Sequence, residues 1–202
     1  MSAVQYSQVQ PDNNRSVYNA LDVVNFTINN QGRSLVLGSL KLEGKLRINT
    51  TGATRATDQD IRFNPNAGIG SFIDGVSTAT SAGQLENIQF DYPRLLNMIA
   101  VASTDYNDKF SSGDIAELKA PIDTITSEYC YGVISSTSTP SATEDIDFSH
   151  KLRICLNRQV QGDNLPFSQS GFIKISVSLA RNGSAVYGTY RNDANDNIDS
   201  VN

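Results

Sequence analysis

The side chains that most often carry out chemistry in proteins are few in this chain and far apart in its sequence. The chain has one histidine, His150, and two cysteines, Cys130 and Cys155. Catalysis by acid, base or nucleophile needs a base held beside a second reactive group, and a metal site needs several ligands at short spacing. No such pattern is recognisable in the sequence. We therefore predict that the chain is not an enzyme, that its catalytic, cofactor-binding and metal-binding residues are none, and that both thiols are free and unreactive.

Two short patterns imitate binding motifs without completing them. The run Gly68-Ile69-Gly70 lacks the third glycine of the dinucleotide fingerprint, because Ile73 stands at that position, and we interpret the run as a tight turn. Four residues near the end of the chain have the spacing of the first half of a calcium loop, but the loop's glycine and bidentate glutamate are missing. A solvated tail is the better interpretation, with a weak cation site as the alternative. These four residues are Asp193, Asn195, Asn197 and Asp199.

Composition limits the classes of protein to which the chain can belong. Its 202 residues fit one domain, with 18% charged residues, 8% aromatic residues and no tryptophan. A net charge of −5 disfavours direct binding of nucleic acid, since no broad basic surface is available. The sequence has no apolar run long enough to span a membrane and no recognisable signal peptide. We expect synthesis in the cytosol, so that four matches to the glycosylation triplet, at Asn14, Asn25, Asn49 and Asn182, stay unmodified.

Residues that alternate between apolar and polar predict the strands that would form the scaffold. In residues 40–48, Leu40, Leu42, Leu46 and Ile48 alternate with lysine, glutamate and arginine. Successive side chains of a strand point to opposite faces, so this segment has one apolar and one charged face. The same alternation recurs in residues 151–157 and 172–179. Strands of this kind need sheets packed over a shared core, which predicts an all-β fold.

Weaker patterns predict the remaining elements. We expect a turn at residues 29–32, an apolar helical turn at 69–73 and a helix that opens at Asp91-Tyr92-Pro93. That helix would place Leu95, Met98, Ile99 and Ala102 against the core. A further helical turn is predicted at residues 114–118. Shorter strands are predicted at residues 23–28, 34–37, 76–80, 85–90, 129–134 and 185–188.

These elements divide the chain into three parts. Residues 1–20 form a polar N-terminal arm that is either flexible or docked on a neighbouring subunit. Residues 21–190 form the domain, in which residues 103–149 are a long surface insertion. Residues 191–202 are a polar tail that leads, as one alternative, into a last strand.

Three segments, in this order, resemble the jelly-roll capsid proteins of icosahedral DNA viruses. The resemblance covers about residues 34–188 and is closest to one barrel of the double jelly-roll major capsid proteins. The first segment leads from a turn into a strand, the second runs from a strand into a Tyr-Pro helix, and the third is a late strand after a Leu-Pro loop. The segments are residues 64–77 (NPNAGIGSFIDGVS), 85–96 (LENIQFDYPRLL) and 165–179 (LPFSQSGFIKISVSL).

The resemblance implies an antiparallel eight-stranded jelly-roll sandwich with one or two short helices and a long inserted loop. It implies a structural capsid protein that self-assembles with copies of itself and other capsid proteins into trimeric or pentameric capsomers. Such a protein is found in the virion and is made and assembled inside the host cell, with no cofactors and no membrane insertion. A fragment of a longer subunit, a single-barrel minor or vertex protein and a barrel completed by another chain stay open. A non-catalytic β-sandwich module that binds carbohydrate or a receptor is the alternative function.

Overall fold

The computed structural model describes residues 4–49, 59–63, 67–103, 143–158, 163–181 and 186–190. Within these ranges the chain is mostly antiparallel β-structure with three α-helices, two of which are single turns. The elements are β1 (Val23–Ile28), β2 (Ser34–Val36), β3 (Lys41–Asn49), β4 (Gln59–Phe63), a 3-10 turn (Gly68–Phe72), β5 (Ile73–Thr80), β6 (Gly83–Ile88), α1 (Tyr92–Ser103), β7 (Thr143–Lys151), α2 (Cys155–Arg158), β8 (Asn164–Pro166), α3 (Phe167–Ser170), β9 (Ile173–Leu179) and β10 (Val186–Tyr190). The all-β prediction is confirmed.

Three pairs of strands are nested in the sequence, whereas a fourth pair, β4–β10, crosses this order. β1 pairs with β9, β2 with β8 and β3 with β7, and each pair is antiparallel. The β5–β6 hairpin lies inside these pairs in the sequence. β9 also pairs with β5, which gives a four-stranded sheet of order β1-β9-β5-β6, and β4 pairs with β10. Residues 23–49 therefore pair with residues 143–179, and the β5–β6 hairpin lies between these two segments in the sequence.

Buried residues from several of these elements form one apolar cluster, which is the core of the described part of the chain. Half-buried leucines before and within β2 and β3, among them Leu35, Leu40 and Leu42, pack against it. Burial of this apolar area is the main stabilising contribution to the fold. The fully assembled cluster joins residues of β1, β5, α1 and β9 with residues that follow β7. Its buried members are Val24, Ala67, Ile73, Val76, Tyr92, Leu96, Leu152, Ile154, Leu156, Phe167, Ile173, Ile175 and Val177.

The alternation predicted for residues 172–179 is confirmed in β9, which lies in the four-stranded sheet. In β9, Ile173, Ile175 and Val177 are buried while Lys174 is exposed. β1 has the bounds that the sequence predicted, and β2, β5 and β6 lie within two or three residues of the predicted strands. The turn at residues 29–32 also forms, with Gly32 at φ +81° and the Arg33 N–H donating to the Asn30 carbonyl.

The predicted strand at residues 151–157 is wrong. Leu152, Ile154 and Leu156 are buried as expected, but β7 ends at Lys151 and α2 begins at Cys155. The buried side chain of Asn157 explains the difference. Its amide nitrogen donates to the Leu40 and Leu152 carbonyls, both at 2.7 Å, and its oxygen accepts from the Leu40 N–H at 3.0 Å. An asparagine that satisfies backbone groups in this way supports a turn instead of a ladder.

The predicted core face of α1 is also wrong in part. Met98 is 63% exposed and Ala102 is exposed, whereas Tyr92 and Leu96 are the buried residues of the helix. The helix begins at Tyr92, whose large ring is fully buried. Residues four apart share a helix face, so Tyr92 sets the orientation and draws Leu96 inward. The prediction from Leu95 and Met98 therefore placed the buried face of the helix at the wrong rotation about the helix axis.

Several predictions fall outside the described residues. They include the helical turn at 114–118, the strand at 129–134, Cys130, the tail 191–202 and its calcium-like spacing. Of the predicted insertion at residues 103–149, the last seven residues belong to β7.

Candidate functional site

His150, the residue with the most obvious chemical potential, lies near the end of β7 with 0% of its surface exposed. Its Nε2 atom is 2.9 Å from the Tyr92 hydroxyl oxygen, and the two rings meet edge to face at 86°. The Arg153 backbone N–H donates to the same hydroxyl at 2.9 Å. The hydroxyl therefore joins α1, β7 and the segment after β7. These contacts give His150 a packing and hydrogen-bonding role inside the core.

The 3-10 turn packs against the buried pair of Tyr92 and His150. Gly70 is buried, and a Cβ atom built there would overlap Leu96 Cδ1 and lie 3.4 Å from His150 Cε1. Any larger residue at position 70 would therefore require the Leu96 side chain to shift, because the turn approaches α1 so closely. The interpretation of Gly68-Ile69-Gly70 as a tight turn is confirmed.

Cys155 is a free, partly buried thiol at the start of α2. Burial raises the pKa of this thiol, and the nearby Glu86 carboxylate raises it further, although a hydrogen bond with Thr78 opposes the change. The Glu86 Oε2 atom accepts from the Cys155 N–H at 2.6 Å, and the Thr78 hydroxyl lies 3.7 Å from the sulfur. A neutral thiol is a poor nucleophile, so this arrangement favours structural use of the cysteine.

An open groove of about 400 Å³ lies beside Cys155. A β-bulge helps to form it, because Thr78 pairs with Glu86 and Ala79 pairs with Gln84, which leaves Leu85 as the extra residue. Bulges redirect side chains at sheet edges, and Leu85 is half-exposed at the wall of the groove. The described residues of the lining are mainly aliphatic, with two hydroxyls, a thiol and an amide: Leu37, Thr80, Leu85, Cys155, Leu156, Leu165, Gln169 and Ser170.

The two edges of the four-stranded sheet differ. Asp12 and Asn13 hydrogen-bond to the edge of β1, so part of the predicted arm lies on the chain's own sheet. At the other edge, the described ranges contain no strand beyond β6. Unpaired strand edges can template contacts with another chain, which makes the β6 edge, as far as the described residues show it, a candidate interaction site.

The β3–β7 ribbon presents a surface of mixed charge. Lys45 lies 3.7 Å from Asp147, and both side chains are exposed. The Ser149 hydroxyl donates to Glu43 at 3.2 Å on the same face. Acidic side chains therefore lie beside lysine in the middle of this face, whereas Lys41 lies opposite Lys151 at its end.

Large apolar side chains are exposed at several places on the described surface. Phe90 and Leu21 are 78% and 63% exposed, and both have left-handed backbone conformations, at φ +60° and +68°. Such conformations are uncommon for bulky residues. Single apolar side chains scattered over a protein surface are common, and only a contiguous apolar patch marks an interaction surface.

Sequence reasoning missed two of these features. The contact between Tyr92 and His150 joins residues 58 positions apart, and no local pattern pairs them. The docking of Asp12 and Asn13 on β1 did have a signal, because Pro11-Asp12-Asn13-Asn14 is a typical turn sequence shortly before a strand.

Comparison with known proteins does not assign a family. No protein-family model matches the chain, and no curated protein matches it. Over the described residues, His, Cys, Asp and Glu nowhere gather in groups of three or more that could hold a metal ion. No helix in that part of the chain has the length and apolar character to cross a membrane.

Proposed function

We propose that this chain is a structural capsid protein that assembles into an icosahedral virus shell through contacts between jelly-roll subunits. The nested pairing of strands is the observation that carries the proposal. A jelly roll is an antiparallel ladder rolled so that its strands form two facing sheets. The proposal is supported by the pairs β1–β9, β2–β8 and β3–β7, which enclose the β5–β6 hairpin in the sequence, whereas the pair β4–β10 does not belong to this nested set.

Two further features support the proposal. The pairing of β9 with both β1 and β5 brings the outer and inner parts of the ladder into one sheet, as rolling requires. The resemblance of residues 64–77, 85–96 and 165–179 to capsid proteins falls on the 3-10 turn and β5, on β6 and α1, and on β8 to β9. Of these elements, β5, α1 and β9 contribute buried residues to the core.

In this proposal the partners are copies of the chain and other capsid proteins. Exposed apolar residues such as Phe90 and Met98 supply area for contacts between subunits. The net charge of −5 suits a shell protein that does not itself condense the genome. The protein would be present in the virion and assembled inside the host cell.

The size distribution of the purified chain tests this proposal. Sedimentation velocity and negative-stain electron microscopy, with protein concentration and salt varied, should reveal discrete trimers, pentamers or closed shells, because capsid contacts obey point-group symmetry. A chain that stays monomeric under every condition, with or without other capsid proteins of the same particle, contradicts the proposal.

The groove beside Cys155 favours one alternative, a non-catalytic module that binds a receptor. Its aliphatic lining suits an apolar side chain of a partner better than a sugar ring. A monomer that binds receptor peptides or glycans, and loses this binding when Leu85 is changed to Glu, would replace the capsid proposal with this one.

A further inference from the structure

We propose that Asp12 and Asn13 form a plug on the edge of β1 that keeps this strand from pairing with β1 of a second copy of the chain. The plug is the four-residue turn Pro11-Asp12-Asn13-Asn14, in which Asp12 and Asn13 make the contacts with β1. The Asn14 N–H donates to the Pro11 carbonyl at 3.1 Å, and Asn14 has a φ of +49°, which asparagine tolerates better than most residues.

The plug binds four of the backbone groups that β1 turns away from β9. The Asp12 N–H donates to the Asn25 carbonyl at 2.7 Å, and the Thr27 N–H donates to Asp12 Oδ1 at 3.1 Å. The Asn13 side-chain nitrogen donates to the Val23 carbonyl at 3.0 Å. The Asn25 N–H donates to Asn13 Oδ1 at 3.5 Å. An added strand would use these same four groups, so the plug and a partner strand exclude each other.

Side chains hold the plug in place. The Thr27 hydroxyl donates to Asp12 Oδ2 at 2.7 Å, and the Tyr18 hydroxyl donates to Asn13 Oδ1 at 3.3 Å. Asp12 and Asn13 are both exposed, so water competes for every one of these bonds. Exposed hydrogen bonds open locally at low free-energy cost, which makes the plug removable without unfolding of the sheet.

The edge beneath the plug has the composition of a strand that pairs readily. β1 reads VVNFTI, with neither charge nor proline, whereas natural edge strands are usually protected by lysine, proline or a bulge. Antiparallel pairing about Asn25 places Val23 opposite Thr27 of the other copy, without repulsion between charges. Such a contact is self-complementary about a two-fold axis. A second copy of β1 is therefore the occupant that the bare edge fits. This inference does not depend on the capsid proposal.

The test compares two double variants of the full chain. D12A/N13A removes the plug's side chains, and Q8A/Q10A changes exposed glutamines of the same arm as a matched control. Hydrogen exchange at the Asn25 and Thr27 amides, read at several protein concentrations beside sedimentation velocity, reports whether the edge is bare or paired. At low concentration D12A/N13A should exchange both amides at least about tenfold faster than the wild type. At high concentration it should form a dimer in which both amides are protected again, while the control resembles the wild type throughout.

A third variant separates edge pairing from other association. Thr27→Pro added to D12A/N13A removes an outward N–H that β9 does not use, a position where an edge strand tolerates proline, and it should abolish the dimer. If D12A/N13A fails to fold, D12A alone gives the same readouts. The proposal is overturned if the bare variant stays monomeric at all concentrations, if its dimer leaves both amides unprotected, or if Thr27→Pro leaves the dimer intact.

Discussion

Removal of the Tyr92 hydroxyl is the perturbation that probes the buried centre of the fold most sharply. Tyr92→Phe keeps the ring that packs in the core but deletes the oxygen that accepts from the Arg153 N–H and contacts His150 Nε2, each at 2.9 Å. The substitution therefore tests whether α1, β7 and the segment after β7 are joined as described.

The expected magnitude follows from these two contacts. A hydrogen bond contributes about 1 kcal/mol net, and loss of a partner inside a protein costs about 1–3 kcal/mol. We expect Y92F to lower the free energy of unfolding by about 2–3 kcal/mol. For a chain of this length, that corresponds to a fall in the melting temperature of roughly 4–12 °C.

The assay is urea unfolding followed by circular dichroism, with Tyr6→Phe as a matched control. Tyr6 is 87% exposed, so Y6F should change the free energy of unfolding by less than about 0.5 kcal/mol. A double-mutant cycle with His150→Phe should give a coupling energy of at least about 0.5 kcal/mol, because the two side chains are in contact. A Y92F protein as stable as Y6F, or a coupling energy near zero, would refute the described centre.

Three further predictions concern the core and its neighbours. Leu96→Ala should lower the free energy of unfolding in urea by about 3 kcal/mol because Leu96 is buried, whereas Met98→Ala on the exposed face should change it by less than about 0.5 kcal/mol. Equal losses for the two variants would contradict the described orientation of α1. Gly75→Ala should lower the free energy of unfolding by about 2 kcal/mol, because the new Cβ would lie 2.6 Å from a backbone carbonyl of β6, which cannot move as a side chain can. A urea midpoint equal to that of the wild type would contradict this close approach. In a Cys130→Ser background, which leaves Cys155 as the one thiol, the free energy of unfolding should fall as pH rises above the reference thiol pKa of 9.0. The pKa of Cys155 is raised in the folded chain, so the thiol of the unfolded chain loses its proton first. Cys155→Ser should remove this pH dependence.

Local sequence patterns predicted the strands of the four-stranded sheet well, and the reason is physical. In β9 one face is buried and the other exposed, so the period of two in burial imposes a period of two in sequence. β1 was predicted from a different local signal, a short run of β-branched and aromatic residues that ends at a turn. Such signals depend on neighbours in the chain and need no knowledge of the partner strand.

The errors arose where tertiary contacts override the local pattern. Residues 152–156 alternate like a strand, yet Asn157 satisfies the backbone of Leu40 and Leu152 and turns the chain. In α1 the burial of Tyr92 beside His150 decides which face is inside, and that contact is not visible locally. The plug on β1 likewise depends on hydrogen bonds between residues 10 to 15 positions apart.

The nested antiparallel pairing underlies the core, the sheet edges and the proposed function, and cross-strand NMR contacts test it most directly. Backbone nuclear Overhauser effects should join Leu35 with Leu165 and Leu42 with His150, since these residues are paired in β2–β8 and β3–β7. Residues 155–158 should show helical contacts. Strand contacts from residues 152–156 to Leu42, in place of those from His150, would contradict the described ladder.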